Sequence, residues 1–357
     1  MFFLLIVLLP LFCLLELITW LCFALDEIIF PKYRKVQISA PLFIIGMPRT
    51  ATTFLHQTLF SDSENFTSMK SWEILFAPSI VQKKLLNLLS VADRHCKYVF
   101  SKLLKRLDKQ IFRVIEPAHP TSFFDIEEDE IILIHLFSYN FLVFLFPWIK
   151  HLRNLAWFDE RLSERKKRMI MKFFRKCVQK HLYTYGKGRT YLSKSPSHTP
   201  KIKSLTSIFP DSRFICIFRQ PDQAIPSTIS LINHFLKMYG ATIYFKRLTA
   251  YALNAAEHWY SYPLQVFKEW NSEDYLMLNY NSVVSNPEKS ISEIYNHFGF
   301  SLSDNFHQKL AIASQKNSRY KSRHFYSASD FGLNEEEIRQ RFNPLYEQYL
   351  KQTKHVA

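Results

Sequence analysis

Four short apolar runs have the length of buried strands: LFIIG at 42–46, TYLS at 190–193, RFICIF at 213–218 and YLMLNY at 275–280. Helical patterns separate them. Strands alternating with helices predict an α/β fold with a mainly parallel sheet and right-handed crossovers. Residues 2–25 differ, being apolar throughout except for Pro10 and Glu16, and they are long enough to cross a bilayer as one helix. Glu16 leaves a second reading open, a hydrophobic helix buried against the domain. No basic stretch precedes the run, which speaks against a cleaved signal peptide. Lys32, Arg34 and Lys35 follow it, beside Asp26 and Glu27, and their sign predicts that the rest of the chain lies on the cytoplasmic side of a single-pass membrane protein.

Two further segments carry periodic signals. The stretch 131–149 is apolar but interrupted by His135, Ser138, Asn140 and Pro147, and it reads as a buried or membrane-surface helix. In 160–185, Ile170, Phe173, Phe174, Cys177 and Leu182 recur near helical spacing with cations opposite, which predicts an amphipathic helix with a solvated basic face. The run Glu127-Glu128-Asp129-Glu130 precedes the 131–149 stretch and reads as a solvated helix start, because acidic groups suit the first turn. It has no His or Cys partner at metal-ligand spacing, so no metal is expected.

Composition adds limits. With 48% apolar residues, 33 Phe and only 6 Gly, the chain is folded rather than disordered. A net charge of +15 favours anionic ligands or surfaces. No nucleic-acid motif accompanies that charge, so a nucleic-acid partner is not expected. The five cysteines show neither a CxxC pair nor a disulfide framework.

The chemistry begins at PLFIIGMPRTATTFL, where a strand passes through a turn with Gly46 and Pro48 into a helix opened by Thr50 to Thr53. This order aims free N–H groups and the positive helix end at one point, which suits a phosphate. In the nucleoside-triphosphate frame GxxxxGK[ST], Ala51 stands at the second Gly and Thr52 at the Lys. With that lysine missing and Arg49 supplying charge earlier, the loop suits a single phosphate group better than a triphosphate with magnesium. Lys194 and Arg219 each follow a strand, and in a parallel sheet both converge on the same crevice. Ser227 lies eight residues beyond Arg219.

These residues resemble the sulfotransferase family. The 46–53 loop is similar to that family's PRSGTT or PKSGTT 5'-phosphosulfate loop, and Arg219 with Ser227 resembles its 3'-phosphate motif. KSPSH, FPDSRFICIFRQP, NYNSVVSNPEKSISEIYNHFGF and HFYSASDFGLNEEEI extend the likeness over residues 40–345. The resemblance implies a P-loop-like three-layer α/β fold and 3'-phosphoadenosine 5'-phosphosulfate as co-substrate. Arg49, Thr50, Ala51, Thr52 and Thr53 would hold its 5' end, Arg219 and Ser227 its 3'-phosphate, and Tyr280 the nucleotide. Arg49 and Lys194 would stabilise the transferring group, and Glu73 or His198 would be the base. Two departures stand out: Ala51 replaces the family's loop Gly, and Asn281 replaces the Glu after the tyrosine. Lys316, Arg319, Lys321 and Arg323 stand where the family carries a basic C-terminal loop.

The expected organisation is a membrane segment at 1–27, a linker at 28–39, the sulfotransferase domain at 40–345 and a tail at 346–357. The expected acceptor is a carbohydrate or lipid hydroxyl. Two rivals keep the same loop: a small-molecule kinase, which the missing lysine opposes, and a membrane-tethered nucleotide-binding protein without turnover, which Ala51 motivates.

Overall fold

The structure, a computed structural model, describes residues 2–112, 121–186, 188–238, 240–303, 306–310 and 328–354. The four predicted strands form: β1 Leu42–Gly46, β3 Thr190–Lys194, β4 Arg213–Phe218 and β5 Tyr275–Asn279. A two-residue strand, β2 Phe66–Thr67, joins them at one edge; it is too short to leave a period in the sequence. The order is β2-β3-β1-β4-β5 and every pairing is parallel. All carboxyl ends therefore meet along one edge of the sheet.

Both faces of the strands are covered, which explains why they read as continuous rather than alternating apolar runs. Phe43, Ile45, Phe214, Cys216 and Phe218 face one core with helices Glu164–His181, Pro221–Met238 and Phe245–Phe267. Leu42, Ile44, Ile215, Ile217 and Leu278 face the other, with Leu55 and Leu59 of α2 (Thr52–Phe60) and Ile291, Ile294 and Tyr295 of helix Pro287–Phe298. The result is three layers, helices on either side of a sheet.

Helix α1 runs Phe2–Ile29, and its Leu9–Ile29 part is long and apolar enough to cross a membrane. Leu11, Leu17, Leu21 and Ile28 are exposed. Its other stripe is docked: Thr19, Phe23 and Asp26 are buried, and Glu16 Oε1 lies 2.7 Å from His135 Nδ1. Asp26 accepts from the Ile80 and Val81 amides, both at 2.9 Å, and from Lys180 Nζ at 2.6 Å. Those two amides open α4 (Ile80–His95), so a carboxylate of α1 caps α4 while neutralising a buried lysine.

Two expectations are corrected. The stretch 131–149 is not one helix; it folds as 3₁₀ turns at Asp129–Leu136 and Asn140–Phe144, with Phe137 in the left-handed region between them. Its polar residues have partners where a straight helix would not supply them: the Asn140 amide donates to Glu130, and His135 Nε2 lies 2.9 Å from the Ile74 carbonyl. The acidic run is not solvated either. Asp129 and Glu130 are fully buried, each against a basic side chain of the segment after β3. The amphipathic helix does form, at Glu164–His181, with Ile170, Phe174 and Cys177 buried.

Candidate active site

The loop after β1 is held by close backbone contact. A Cβ on Gly46, whose φ is +136°, would lie 2.5 Å from the Ile217 carbonyl oxygen of β4, so only glycine lets the two strands pair to the end of β1. Arg49 and Ala51 then adopt φ of +66° and +63°, and α2 starts at Thr52. Thr50 is buried and donates to the Met47 carbonyl at 2.7 Å, which fixes the turn from within; Thr52 is buried and Thr53 half-buried at the helix start. Ala51 therefore does need the left-handed region, and its Cβ costs about 1 kcal/mol there.

The second constellation reaches the same loop. Arg219, just past β4, donates from one guanidinium nitrogen to the Arg49 carbonyl at 2.8 Å, and the group lies 4.2 Å from the Tyr280 ring centroid. Arg49 Nε donates to Ser227 Oγ at 3.1 Å. The Tyr260 hydroxyl holds the Arg219 carbonyl at 2.8 Å. Arg219 Nε is buried and has no hydrogen-bond partner among the described residues, a donor that an anion at the loop would satisfy. Arg49, Thr50, Ala51, Thr52, Thr53, Arg219, Ser227 and Tyr280 thus come together at the carboxyl edge of β1 and β4.

β3 lies on the other side of β1, with Lys194 opposite Ile44. The Thr199 hydroxyl accepts from the Gly46 amide and donates to the Gly46 carbonyl, both at 3.0 Å, so the turn after β3 is tied to the loop. Lys194 is buried; its Nζ is 3.0 Å from Glu128 and 3.8 Å from Glu127. Consecutive acids meet bases one helical turn apart on the segment after β3: His198 Nε2 is 2.9 Å from Asp129, and Lys201 Nζ is 2.5 Å from Glu130. Burial pushes the Asp129 carboxyl up, yet His198, Tyr191 and Ser193 together hold it below its usual range. Burial raises Glu130 in spite of Lys201.

Beside the loop opens a cavity of about 440 Å³ whose wall is chiefly aliphatic and aromatic. Met47 and Pro48 of the phosphate loop and Glu127 and Glu128 of the acidic run line it together with Phe141, Phe144, Phe235, Tyr251 and Trp259. One helix, Pro221–Met238, carries Ser227 toward the loop and presents Thr228, Leu231 and Phe235 to the cavity.

The two proposed bases lie elsewhere. Glu73, on α3 (Ser71–Phe76), is buried between Lys83 Nζ and His181 Nδ1, each at 2.7 Å. Burial would raise its carboxyl, but His181 and Lys83 hold it down at about 2. His198 is fully buried under Phe43 and Phe174. Neither lines the cavity, whereas Glu127 and Glu128 do. Sequence reasoning saw the acidic run but took it for a solvated helix start; the spacing of Lys194, His198 and Lys201 was the available signal. Lys316, Arg319, Lys321 and Arg323 lie outside the described residues.

A parallel sheet with a phosphate-type loop, a second arginine on the adjoining strand and an apolar cavity is the architecture of an α/β protein that takes a ligand at the carboxyl ends of its strands. Residues 41–304, well over half of the chain, match the Sulfotransferase family, and the protein belongs to it. It is 24% identical over 267 residues to the omega-hydroxy-beta-dihydromenaquinone-9 sulfotransferase Stf3 of Mycobacterium tuberculosis and of Mycobacterium bovis. The alignment covers 72% of this chain and 62% of those relatives, so the chain spans less than two thirds of their length. Two solved structures share the fold: sulfotransferase STF9 from Mycobacterium avium (TM-score 0.73, 19% identity, covering 91% of this chain and 80% of that one) and sulfotransferase STF1 from Mycobacterium tuberculosis (0.65, 21%, 92% and 81%).

The burial of Glu73 generates a test. Glu73→Gln leaves Lys83 without its counter-charge inside the fold and should cost ~3 kcal/mol of stability, read as a lowered unfolding midpoint. Glu73 is depressed from 4.5 to about 2 on folding, so its contribution is present in full above pH 4.5 and is lost as pH falls toward 2. The wild-type midpoint should therefore drop over that window more steeply than the variant's.

Proposed function

We propose that this protein transfers a sulfuryl group from 3'-phosphoadenosine 5'-phosphosulfate to a hydroxyl on an apolar, lipid-like acceptor. The observation that carries this reading is one aromatic cavity lined also by the phosphate loop and by two carboxylates. The loop amides and the Thr50, Thr52 and Thr53 region would hold the 5' end, and Arg219 with Ser227 the 3'-phosphate, with Tyr280 against the guanidinium. The unpaired Arg219 Nε supports an anion there. The mycobacterial relatives, named as sulfotransferases of a menaquinone derivative, support a lipid acceptor over a carbohydrate.

Charge that develops on equatorial and leaving oxygens is met by fixed cations. Arg49 sits at the loop and Lys194 at the neighbouring strand end, already held by Glu128. Glu128 also takes over the role of base from Glu73 and His198. It lines the cavity, whereas Glu127 is occupied by the Thr121 hydroxyl at 2.7 Å and the Glu128 amide at 2.9 Å. An acceptor hydroxyl in the cavity would give its proton to Glu128, whose Oε1 lies 3.0 Å from Lys194 Nζ.

A binding protein without turnover is the second reading, and Ala51 favours it. Its strain of about 1 kcal/mol is carried by the fold itself and falls on stability, which does not abolish transfer.

Adenosine 3',5'-bisphosphate should bind the purified protein in preference to ATP with magnesium, and Arg219→Ala should weaken that binding at least tenfold by calorimetry. A preference for ATP, or equal affinity in the variant, would overturn the donor assignment. Glu128→Gln should lower kcat roughly a hundredfold while leaving donor Kd within about twofold. An unchanged kcat would remove Glu128 from the chemistry.

A further inference from the structure

Beyond α1, the least buried part of the described fold is a helical hairpin, α4 with α5 (Val99–Phe112). It is built to keep its shape. Ser79 and Gln82 form a reciprocal cap at the start of α4, over the Asp26 carboxylate from α1. Asp93 accepts from the Phe100 and Ser101 amides at 2.8 and 2.9 Å and so starts α5. Asp108 ties α5 to the 121–123 segment through Ser122 Oγ and the Phe123 amide.

The hairpin nevertheless leaves its apolar stripe bare. Phe100, Leu103, Leu104, Leu107 and Ile111 of α5 are exposed, as is Leu88 of α4. At 100° per residue the five α5 positions share one side of the helix, and Lys102, Lys105, Arg106 and Lys109 fall on the opposite side. An apolar face of this size on an ordered element marks a docking surface. Its segregation from a lysine-rich face is the pattern of a helix lying in a membrane interface.

Continuity with α1 identifies the occupant. α4 packs along α1. The docked stripe of α1, from Glu16 to Asp26, spans about 15 Å of helix at 1.5 Å per residue, half the thickness of a bilayer core. With α1 in the bilayer, the domain cannot stand clear of it, and the flank carrying α4 and α5 must enter the interface. That flank leads to the cavity. Phe112, the last residue of α5, lines it, and the Phe112 and Phe76 rings both pack on Phe123, at 4.7 and 5.3 Å.

We propose that α4 and α5, side by side with the exposed face of α1, form one surface that embeds in an anionic bilayer and passes a lipid acceptor to the cavity beside Phe112. The embedding stands on the hairpin and its continuity with α1; the passage of acceptor rests on the function proposed above.

The test uses the full chain with Cys13, Cys22 and Cys96 changed to serine, since Cys177 and Cys216 are buried. Single cysteines at Leu103→Cys, Leu107→Cys, Lys105→Cys and Lys109→Cys carry an environment-sensitive fluorophore, in vesicles of equal phosphatidylcholine and phosphatidylglycerol. The 103 and 107 probes should shift to the blue and be quenched at least twofold by lipid bearing a nitroxide in its acyl chain, and the 105 and 109 probes should not. Equal quenching at all four, or none, would overturn the embedding. So would blue-shifted but unquenched 103 and 107 probes whose shift grows with protein concentration, because a second copy would then cover the face. The pair Leu103→Asp with Leu107→Asp should raise KM for a vesicle-borne acceptor at least tenfold and leave adenosine 3',5'-bisphosphate affinity unchanged. An unaltered KM with quenching intact would refute the passage but keep the embedding. Failure of the nucleotide to bind wild type would refute the sulfuryl-transfer reading without touching the quenching result.

Discussion

The site depends on a register of buried acidic and basic side chains. Glu128, Asp129 and Glu130 meet Lys194, His198 and Lys201 in order, and the segment carrying those three bases is itself hydrogen-bonded to Gly46 through Thr199. Taking such groups out of water costs several kcal/mol per ion, which the pairing must offset, so the arrangement contributes little net stability. What it contributes is position. A slip of one residue would strand a carboxylate and a base together, and the pairing therefore fixes where the cavity's carboxylates stand against the phosphate loop.

The same logic recurs at the other end of the molecule, where Asp26 satisfies two amides and a lysine that are all buried. Because Asp26 belongs to α1 and Lys180 to helix Glu164–His181, the apolar helix is built into the domain rather than tethered by a flexible stretch. Tyr33, in the segment expected to be a linker, is fully buried and lies under Lys180 at 4.2 Å. Were this helix to enter a bilayer, its docking would set the orientation of the domain.

The sheet was legible in the sequence because its strands are covered on both faces and leave uninterrupted apolar runs, and the Gly46 to Thr53 loop was legible because strand, turn and helix start follow within a dozen residues. The convergence of Arg219, Ser227 and Tyr280 followed from parallel topology and from the family resemblance. The run Glu127–Glu130 was misread because local pattern assigns consecutive acids to solvent, and only a tertiary partner some 65 residues away reverses that. For the same reason Glu73, one helix after the loop, read as a base although Lys83 and His181 enclose it. The 131–149 stretch was misread because apolar content alone cannot report that backbone turns at Phe137.

The most direct test of sulfuryl transfer to a lipid hydroxyl supplies the reconstituted full chain with a mixture of hydroxylated lipids and carbohydrates and with donor labelled by radioactive sulfur, and separates the products afterwards. The account predicts that label moves into a chloroform-soluble, anionic product, with one adenosine 3',5'-bisphosphate released per label transferred. Label found only in water-soluble carbohydrate, or nucleotide released with no labelled lipid, would contradict it.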